Sequence, residues 1–584
     1  MGPKSGVDLT ELLDPQLARF WHETRLRATP GPAPGPGPEA SPPPQPVVLE
    51  PWLAVAEVLA LGYGERSGAV ITKGRTLMRA RTTPSAGALY PFELAVALRG
   101  ADRYELYEYD AEGCCLRHAG PVATEEITAL LAPGPGNESG PGSAPGSGPG
   151  NAPGPAPDLD PGSGPVNGND PGPAQGPDPS DGPDPADRVA PPLAVVAVIG
   201  RPWTSMRKYG RRGYLYTHLD GAHAATGVAL AAEYAGLDPV THLRFDRHEA
   251  ARLLGVADRC REPQVLIALA DPVPGAAPSR TAVPPGTGPR RCDGAAANPF
   301  AVPLWRHGDL PPDREPGDEE TTAWHSVRSI SAFRDRRSTP RAFGRSRSVG
   351  ATAPGTTGIG TGTPAPPLEL DRGPDRLPPA AYPELVLSRN SAKGFLPAPV
   401  GAAALGRVLA GLRHELVLDS ADGPVAGLRV LARTVDGIDP GAYRYDPGGH
   451  TLLPLGGRTP TRAADEAVVA ACMGQGVVRD AAALFVLHSP VESLLGTHGH
   501  QGLAELHFHA GAAAQRLCLA AAAHTVGITC LGGFDAGLVA ELVLLADHEE
   551  VIYVLACGVP DANAVKWDRA PIAYSHGRGP ASGV

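Results

Sequence analysis

Arg207-Lys208-Tyr209-Gly210-Arg211-Arg212-Gly213-Tyr214, with Asp220-Gly221-Ala222-His223 just after it, is the stretch on which the reading of this chain turns. A lysine beside a tyrosine, closed by glycine inside a run of cations, is an uncommon local chemistry. Both side chains ordinarily titrate at about pH 10, and a neighbouring cation favours the tyrosinate by direct Coulomb attraction. On a regular strand two adjacent residues would face opposite ways. Gly210 and Gly213 therefore favour a loop or strand end, where Lys208 and Tyr209 could face one site. The alternative is a basic turn in water.

Upstream lies a second string, Arg81-Thr82-Thr83-Pro84-Ser85-Ala86-Gly87-Ala88-Leu89-Tyr90-Pro91-Phe92-Glu93. Together the PSAGALYP and Lys-Tyr-Gly strings resemble those of the SagB-type dehydrogenases of the nitroreductase-like flavoprotein superfamily. The resemblance extends over most of the chain except its low-complexity segments. It implies an α+β fold, FMN as cofactor and, as activity, the oxidation of thiazolines and oxazolines to thiazoles and oxazoles in ribosomally made peptides. The partners it implies are an azoline-containing precursor peptide and cyclodehydratase proteins that would form the azolines.

Composition bounds the remaining classes. At 584 residues two domains plus linkers are expected. The net charge of −11 gives no reason to expect nucleic acid. The 73 glycines and 67 prolines approach the level that signals much unstructured sequence. No CxxC or Cys/His ligand spacing occurs among the eight cysteines, and the adjacent Cys114 and Cys115 read as reduced thiols in a hairpin turn. A reducing cytoplasm is the expected compartment. No apolar signal core follows Met1, and no apolar span of about 20 residues occurs, so neither a signal peptide nor a membrane helix is expected.

Along the chain, residues 1–50 read as a partly disordered N-terminal segment, with an amphipathic piece around Phe20-Trp21-His22 and a Pro/Gly-rich tract after it. A first domain is expected over 51–273. Within it, residues 133–187 carry almost no large apolar side chain and cannot offset the entropy of ordering, so they read as a disordered insertion. Strands are expected over 92–98, 104–109, 193–199 and 264–269, and an Ala-rich helix over 221–237. A Pro/Gly-rich linker fills 274–380, a second domain 381–562, and a tail 563–584. The apolar run Ala512–Ala523 is too short to span a membrane and reads as a buried helix.

An internal repeat supports duplication. Tyr107-Glu108-Tyr109-Asp110 recurs as Tyr443-Arg444-Tyr445-Asp446, an offset of 336 residues (443 − 107), whereas Ile267-Ala268-Leu269 and Val554-Leu555-Ala556 lie 287 apart (554 − 267). The difference matches roughly the insertion at 133–187. The alternation of strands and helices in each half argues for helices on a largely antiparallel sheet. The resemblance implies two tandem nitroreductase-like domains that form, within one chain, the dimer such flavoproteins usually build from two.

The second half opens with Arg389-Asn390-Ser391-Ala392-Lys393, ahead of a helix-like stretch from Gly401. By resemblance, Arg389, Ser391 and Lys393 hold the FMN phosphate. Two cations and a hydroxyl suit a dianion through charge-assisted hydrogen bonds; a solvated turn is the alternative. Arg336-Arg337-Ser338 with Arg341 is a rival phosphate motif, ranked second because Pro340 and a low-complexity tract follow it. Resemblance also assigns Pro84, Ser85, Gly87, Gln515, Gly532 and Gly533 to flavin binding. Glycine there would let backbone N–H groups approach a flat ring. The halves are not equivalent. The first has Val240-Thr241-His242-Leu243 where the glycine loop should be, and the second has Thr497-His498-Gly499 where Lys-Tyr-Gly would fall.

His218, His223, His488, His498, His500, His507 and His509 invite a metal reading, with His498/His500 and His507/His509 spaced as ligands on one strand face would be. No Asp or Cys partner accompanies them, so no metal is expected. The leading expectation is an FMN-dependent azoline dehydrogenase in which Tyr209 is the base, assisted by Lys208, and flavin accepts the hydride. The alternatives are a nitro- or quinone reductase using NAD(P)H, and a flavin-free scaffold of a peptide-modifying complex.

Overall fold

The computed structural model describes residues 53–71, 77–86, 89–111, 115–132, 191–257, 260–270, 304–306, 366–373, 382–419, 426–456 and 463–564. Apolar runs make the centre of each half. Ala-Val-Val-Ala-Val-Ile-Gly at 194–200 and Ala-Leu-Phe-Val-Leu-His-Ser at 483–489 are buried at every position, as strands covered on both faces should be.

In the first half a short hairpin, β1 (Glu65–Ile71) and β2 (Leu77–Arg81), precedes seven sheet strands. These are β3 (Phe92–Arg99), β4 (Arg103–Asp110), β5 (Cys115–Ala123), β6 (Ala194–Gly200), β7 (Asp238–His242), β8 (Glu262–Ala270) and β9 (Leu304–Arg306). Their order is β7-β8-β6-β3-β4-β5-β9, antiparallel except for β5 with β9. The second half has β10 (Leu368–Glu369), a small parallel pair of β11 (Val400–Gly401) with β13 (Val435–Asp436), then β12 (Gly427–Ala432), β14 (Gly441–Asp446), β15 (Thr451–Pro454), β16 (Ala483–Ser489), β17 (Gly527–Leu531) and β18 (Glu550–Gly558). Its sheet runs β17-β18-β16-β12-β14-β15-β10, the same order as the first. The expected duplication is thus a duplication of topology. Both peripheral strands β9 and β10 come from within the expected linker.

Four helices position the site: α1 (Leu53–Tyr63), α2 (Pro202–Tyr209), α3 (Arg212–Tyr234) and α4 (Val491–Ala523). The expected buried helix at 512–523 is the last third of α4. The Lys-Tyr stretch is neither a loop nor a strand end. Pro202 starts α2, where its missing N–H costs nothing, and Tyr209 ends it. Gly210 then adopts φ 57°, ψ −148°, a conformation open to glycine, and α3 resumes at Arg212. Gly499 makes the same kink in α4, at φ 58°, ψ −143°. Gly213 answers to packing: a Cβ there would lie 2.4 Å from the backbone of Ser205 and Met206. The helix expected from Gly221 therefore begins nine residues earlier. The paired histidines of α4 lie on a helix, where i, i+2 residues do not share a face.

The halves share their cores. Met206, Tyr209, Tyr214 and Tyr216 of the first half pack within the main core of the second. Tyr382, Leu385, Leu418, Phe508 and Leu519 of the second pack within that of the first. Where α3 crosses α4, a Cβ on Gly511 would fall 2.6 Å from both Ala222 Cβ and the Leu219 carbonyl, so only glycine permits that approach.

Candidate flavin site

Arg212, Tyr216, Asp220 and His223 recur at spacings of four, four and three along α3, which puts them on one helical face. Each reaches a residue in or near one of the strings singled out from the sequence. Tyr216 OH donates to the Gly532 carbonyl. The Arg212 guanidinium lies 5.7 Å from the Tyr216 ring centroid and 5.1 Å from that of Phe534. His223 Nδ1 meets Gln515 Oε1 at 3.1 Å and its Nε2 meets Tyr553 OH at 3.3 Å. Cys518 and Cys530 complete this wall with their sulfurs 3.8 Å apart.

Asp220 links the stripe to the PSAG stretch. Ser85 Oγ donates to Asp220 Oδ2 at 2.6 Å, and the Ala86 N–H donates to both carboxylate oxygens. Burial pushes the Asp220 carboxyl up to about 7, against the lowering effect of those two donors. Ser85 Oγ in turn accepts from the Tyr90 N–H, and Tyr90 OH accepts from the Arg81 N–H.

Arg389 joins the halves. It is 4% exposed, and its Nε and Nη2 donate to the carbonyls of Thr82 and Arg81 at 3.0 and 3.3 Å. Ser391 is stitched to β17 by a bridge to Ile528, and Ala392 N–H donates to the Ile528 carbonyl. Lys393 is half-buried on the same turn.

Most of the residues singled out from the sequence thus converge. Ser85, Gln515 and Gly532 are joined through α3, Ser391 through β17, and Arg389 ties that turn to the residues just before Pro84. The Gly533 carbonyl accepts from Gln475. Tyr209 is buried, its ring perpendicular to that of Tyr216 with centroids 4.9 Å apart. Lys208 lies on α2 beside it. Gly87, the side chain of Lys208 and the rival motif Arg336-Arg337-Ser338 lie outside the described residues. Sequence reasoning missed Tyr216 and Cys530, and it quoted Asp220 and His223 without giving them a role at this site. For the three residues of α3 the signal was the spacing from Arg212 to His223, which disappears when the helix is started at Gly221.

The equivalent locus in the other half is filled by the protein itself. Leu243 and Arg244, which replace Gly532 and Gly533, donate their N–H groups to the Asp419 carboxylate at 2.8 and 3.0 Å. Thr241 and Asp419 exchange further backbone bonds, Thr241 N–H with Val417 and Asp419 N–H with Thr241. Arg244 forms a two-pronged ion pair with Glu505, at 2.7 and 3.0 Å. Burial holds Asp419 up at about 6 and His242 down at about 4. An internal carboxylate here occupies the donors that a ligand would need.

The donors at the first locus fit a phosphorylated, planar cofactor. Thr82, whose carbonyl Arg389 holds, and Thr83 carry buried hydroxyls with no hydrogen-bond partner, and a Cβ on Gly532 would only touch the Tyr216 ring.

Residues 442–559 match the model of the nitroreductase family. No curated protein matches the chain. Among solved structures, the chain is similar to a candidate nitroreductase from Anabaena variabilis, with TM-score 0.59 and 17% identity, covering 94% of this chain and 99% of that one. A candidate nitroreductase from Ralstonia eutropha aligns at TM-score 0.25 and 18% identity over 38% of this chain and 97% of its own. A chain of the E. coli microcin synthetase McbBCD complex with truncated pro-MccB17 bound aligns at TM-score 0.25 and 16% identity, over 30% and 70%. The first of these establishes the fold, nitroreductase-like and α+β, over the 94% of the chain that it covers. No helix among the described residues is long and apolar enough to cross a membrane.

Proposed function

We propose that this chain is an FMN-dependent oxidoreductase that aromatises azoline rings in a modified peptide. The observation that carries the proposal is the hold of Arg389 on the carbonyls of Arg81 and Thr82. It joins the phosphate-type motif of the second half to the PSAG stretch of the first, so one composite site draws on both.

In this reading Ser391 and Lys393 hold the cofactor phosphate, while Arg389 fixes their loop against the first half. Gly532 and Gly533 keep the wall behind the ring thin, and Tyr216 orients that loop through its carbonyl. Bound flavin supplies the hydride acceptor that aromatisation requires. The chain's own task is the proton. Tyr209, with Lys208 next to it, removes it from the ring carbon. Asp220, whose carboxyl changes charge near neutrality, accepts hydrogen bonds from Ser85 and Ala86 and so sets the position of the PSAG stretch. The peptide and any cyclodehydratase partner are proposals from the motif resemblance.

Purified protein should be yellow, release FMN on denaturation, and convert an azoline peptide to product lighter by two hydrogens. A colourless protein that takes up no FMN would leave the scaffold reading standing. Rapid NAD(P)H oxidation with nitroaromatics and none with azoline peptide would favour the small-molecule reductase.

A further inference from the structure

The opposite face of α3 carries a second constellation. Tyr214 and His218 lie about half a helical turn away from the Arg212–His223 stripe. Against them the fold brings Glu262 at the start of β8 and His500, the residue after the Gly499 kink in the other half. One ligand atom each from His218, Glu262 and His500 lies within 4.8 Å of the other two, and all three residues are buried. We propose that these three side chains bind a divalent first-row cation, Zn(II) in preference, between the two halves.

Four observations support it. First, the hydrogen bonding leaves ligand lone pairs over. Tyr214 OH donates its one proton to Glu262 Oε1 at 3.1 Å, so His500 Nε2 must donate to the tyrosine oxygen at 2.8 Å. His500 Nδ1 and His218 Nε2 are then buried without a hydrogen-bond partner, which natural proteins seldom tolerate. Second, His218, Glu262 and His500 are all buried, at 5%, 7% and 3% exposure, so bulk water does not fill the lone pairs left over. Third, a cavity of about 10 Å³, close to the room one water needs, opens beside His218. Gln264 lines it, and neither Oε1 nor Nε2 of that buried amide has a partner. Fourth, two imidazoles and a carboxylate form a donor set that zinc and ferrous sites use.

Ligand atoms of a tetrahedral zinc site, with bonds of about 2.0–2.1 Å, lie about 3.3 Å apart. A cation would therefore draw the three side chains in by roughly an ångström. Tyr214 would remain as the outer partner that orients Glu262. No Asp or Cys accompanies these histidines in the sequence; β8 supplies a glutamate from 238 positions before His500. Because His500 belongs to one half and His218 and Glu262 to the other, the cation would clamp the crossing of α3 and α4. The inference is independent of the flavin reading.

The full-length protein, stripped with a chelator, is titrated with Zn(II) against a chromophoric competitor, with Co(II), Mn(II) and Fe(II) as parallel arms. Uptake of about one equivalent per chain, with visible Co(II) bands of nitrogen and oxygen ligation, is the expected result. Glu262→Gln keeps the acceptor for Tyr214 but loses the charge. It should weaken binding by at least the roughly 10–100-fold that loss of an outer partner costs. His500→Ala should do the same, and His498→Ala, two residues away, should not. Should His500→Ala not fold, the unmodified chain and Glu262→Gln still decide. No uptake of any of the four cations at micromolar concentration overturns the proposal, as does equal uptake by Glu262→Gln.

Discussion

Arg389→Ala is the most informative single change at the composite site. The guanidinium is almost fully buried and spans from the phosphate-type turn of one half to two carbonyls of the other. Charge-assisted hydrogen bonds contribute about 1.5–3 kcal/mol each, so the two together hold roughly 3–6 kcal/mol of junction energy. Alanine also leaves the Arg81 and Thr82 carbonyls facing a void that water would fill only in part. If no more than half of that energy fixes the Ser391–Lys393 turn for cofactor binding, the loss is about 1.5–3 kcal/mol. At about 1.4 kcal/mol per decade, FMN affinity should fall about 10–100-fold. Arg389→Lys, a point cation without the planar fork, can reach one carbonyl and should fall between. Quenching of free FMN fluorescence at fixed ionic strength gives both dissociation constants, with far-ultraviolet circular dichroism to check the fold. An Arg389→Ala protein that is folded and binds FMN within twofold of the parent would refute the composite-site argument.

Tyr209→Phe and Lys208→Ala should keep FMN but lose about 10²–10⁴-fold in azoline turnover, the contribution of a positioned acid/base; parent rates for both would remove the assignment. Released-flavin absorbance should give one FMN per chain, because Asp419 and the Arg244–Glu505 pair close the other locus; two per chain would contradict that. Asp220 gives a pH signature. Its folded carboxyl titrates at about 7 against an ordinary 3.8, so the folded chain keeps a proton that the unfolded chain has lost. Stability from this group is therefore highest below about pH 4 and falls as pH rises to about 7. Asp220→Asn removes the effect and should gain about 2–3 kcal/mol on the parent between pH 5 and pH 8, at about 1.4 kcal/mol per unit. Urea unfolding of the flavin-free proteins at the two pH values measures it, and an unchanged difference would show that Asp220 does not carry the proton.

Local pattern alone determined a good part of this protein. Ala194–Gly200 and Glu550–Gly558 are apolar enough that a buried strand is the economical outcome for each, and Ala512–Ala523 can only be a covered helix. The recurrence of Tyr107–Asp110 at Tyr443–Asp446 announced the duplication, since residues that repeat with their neighbours repeat a structural unit. What the sequence could not express was direction. Gly210 looks like the end of a helix or strand; only packing of Gly213 against the backbone of Ser205 and Met206 makes it a kink between two helices. That kink decides which face of α3 presents Arg212, Tyr216, Asp220 and His223. Likewise the motif at Arg389 gives a cation but not its target, which lies more than 300 residues away. Glu262 reveals no tie to His218 and His500 until β8 is laid against α3 and α4. Periodicity and turn chemistry act over a few residues and are written locally. A guanidinium meeting a distant carbonyl depends on how two whole cores interlock, and that is settled only when the chain is folded.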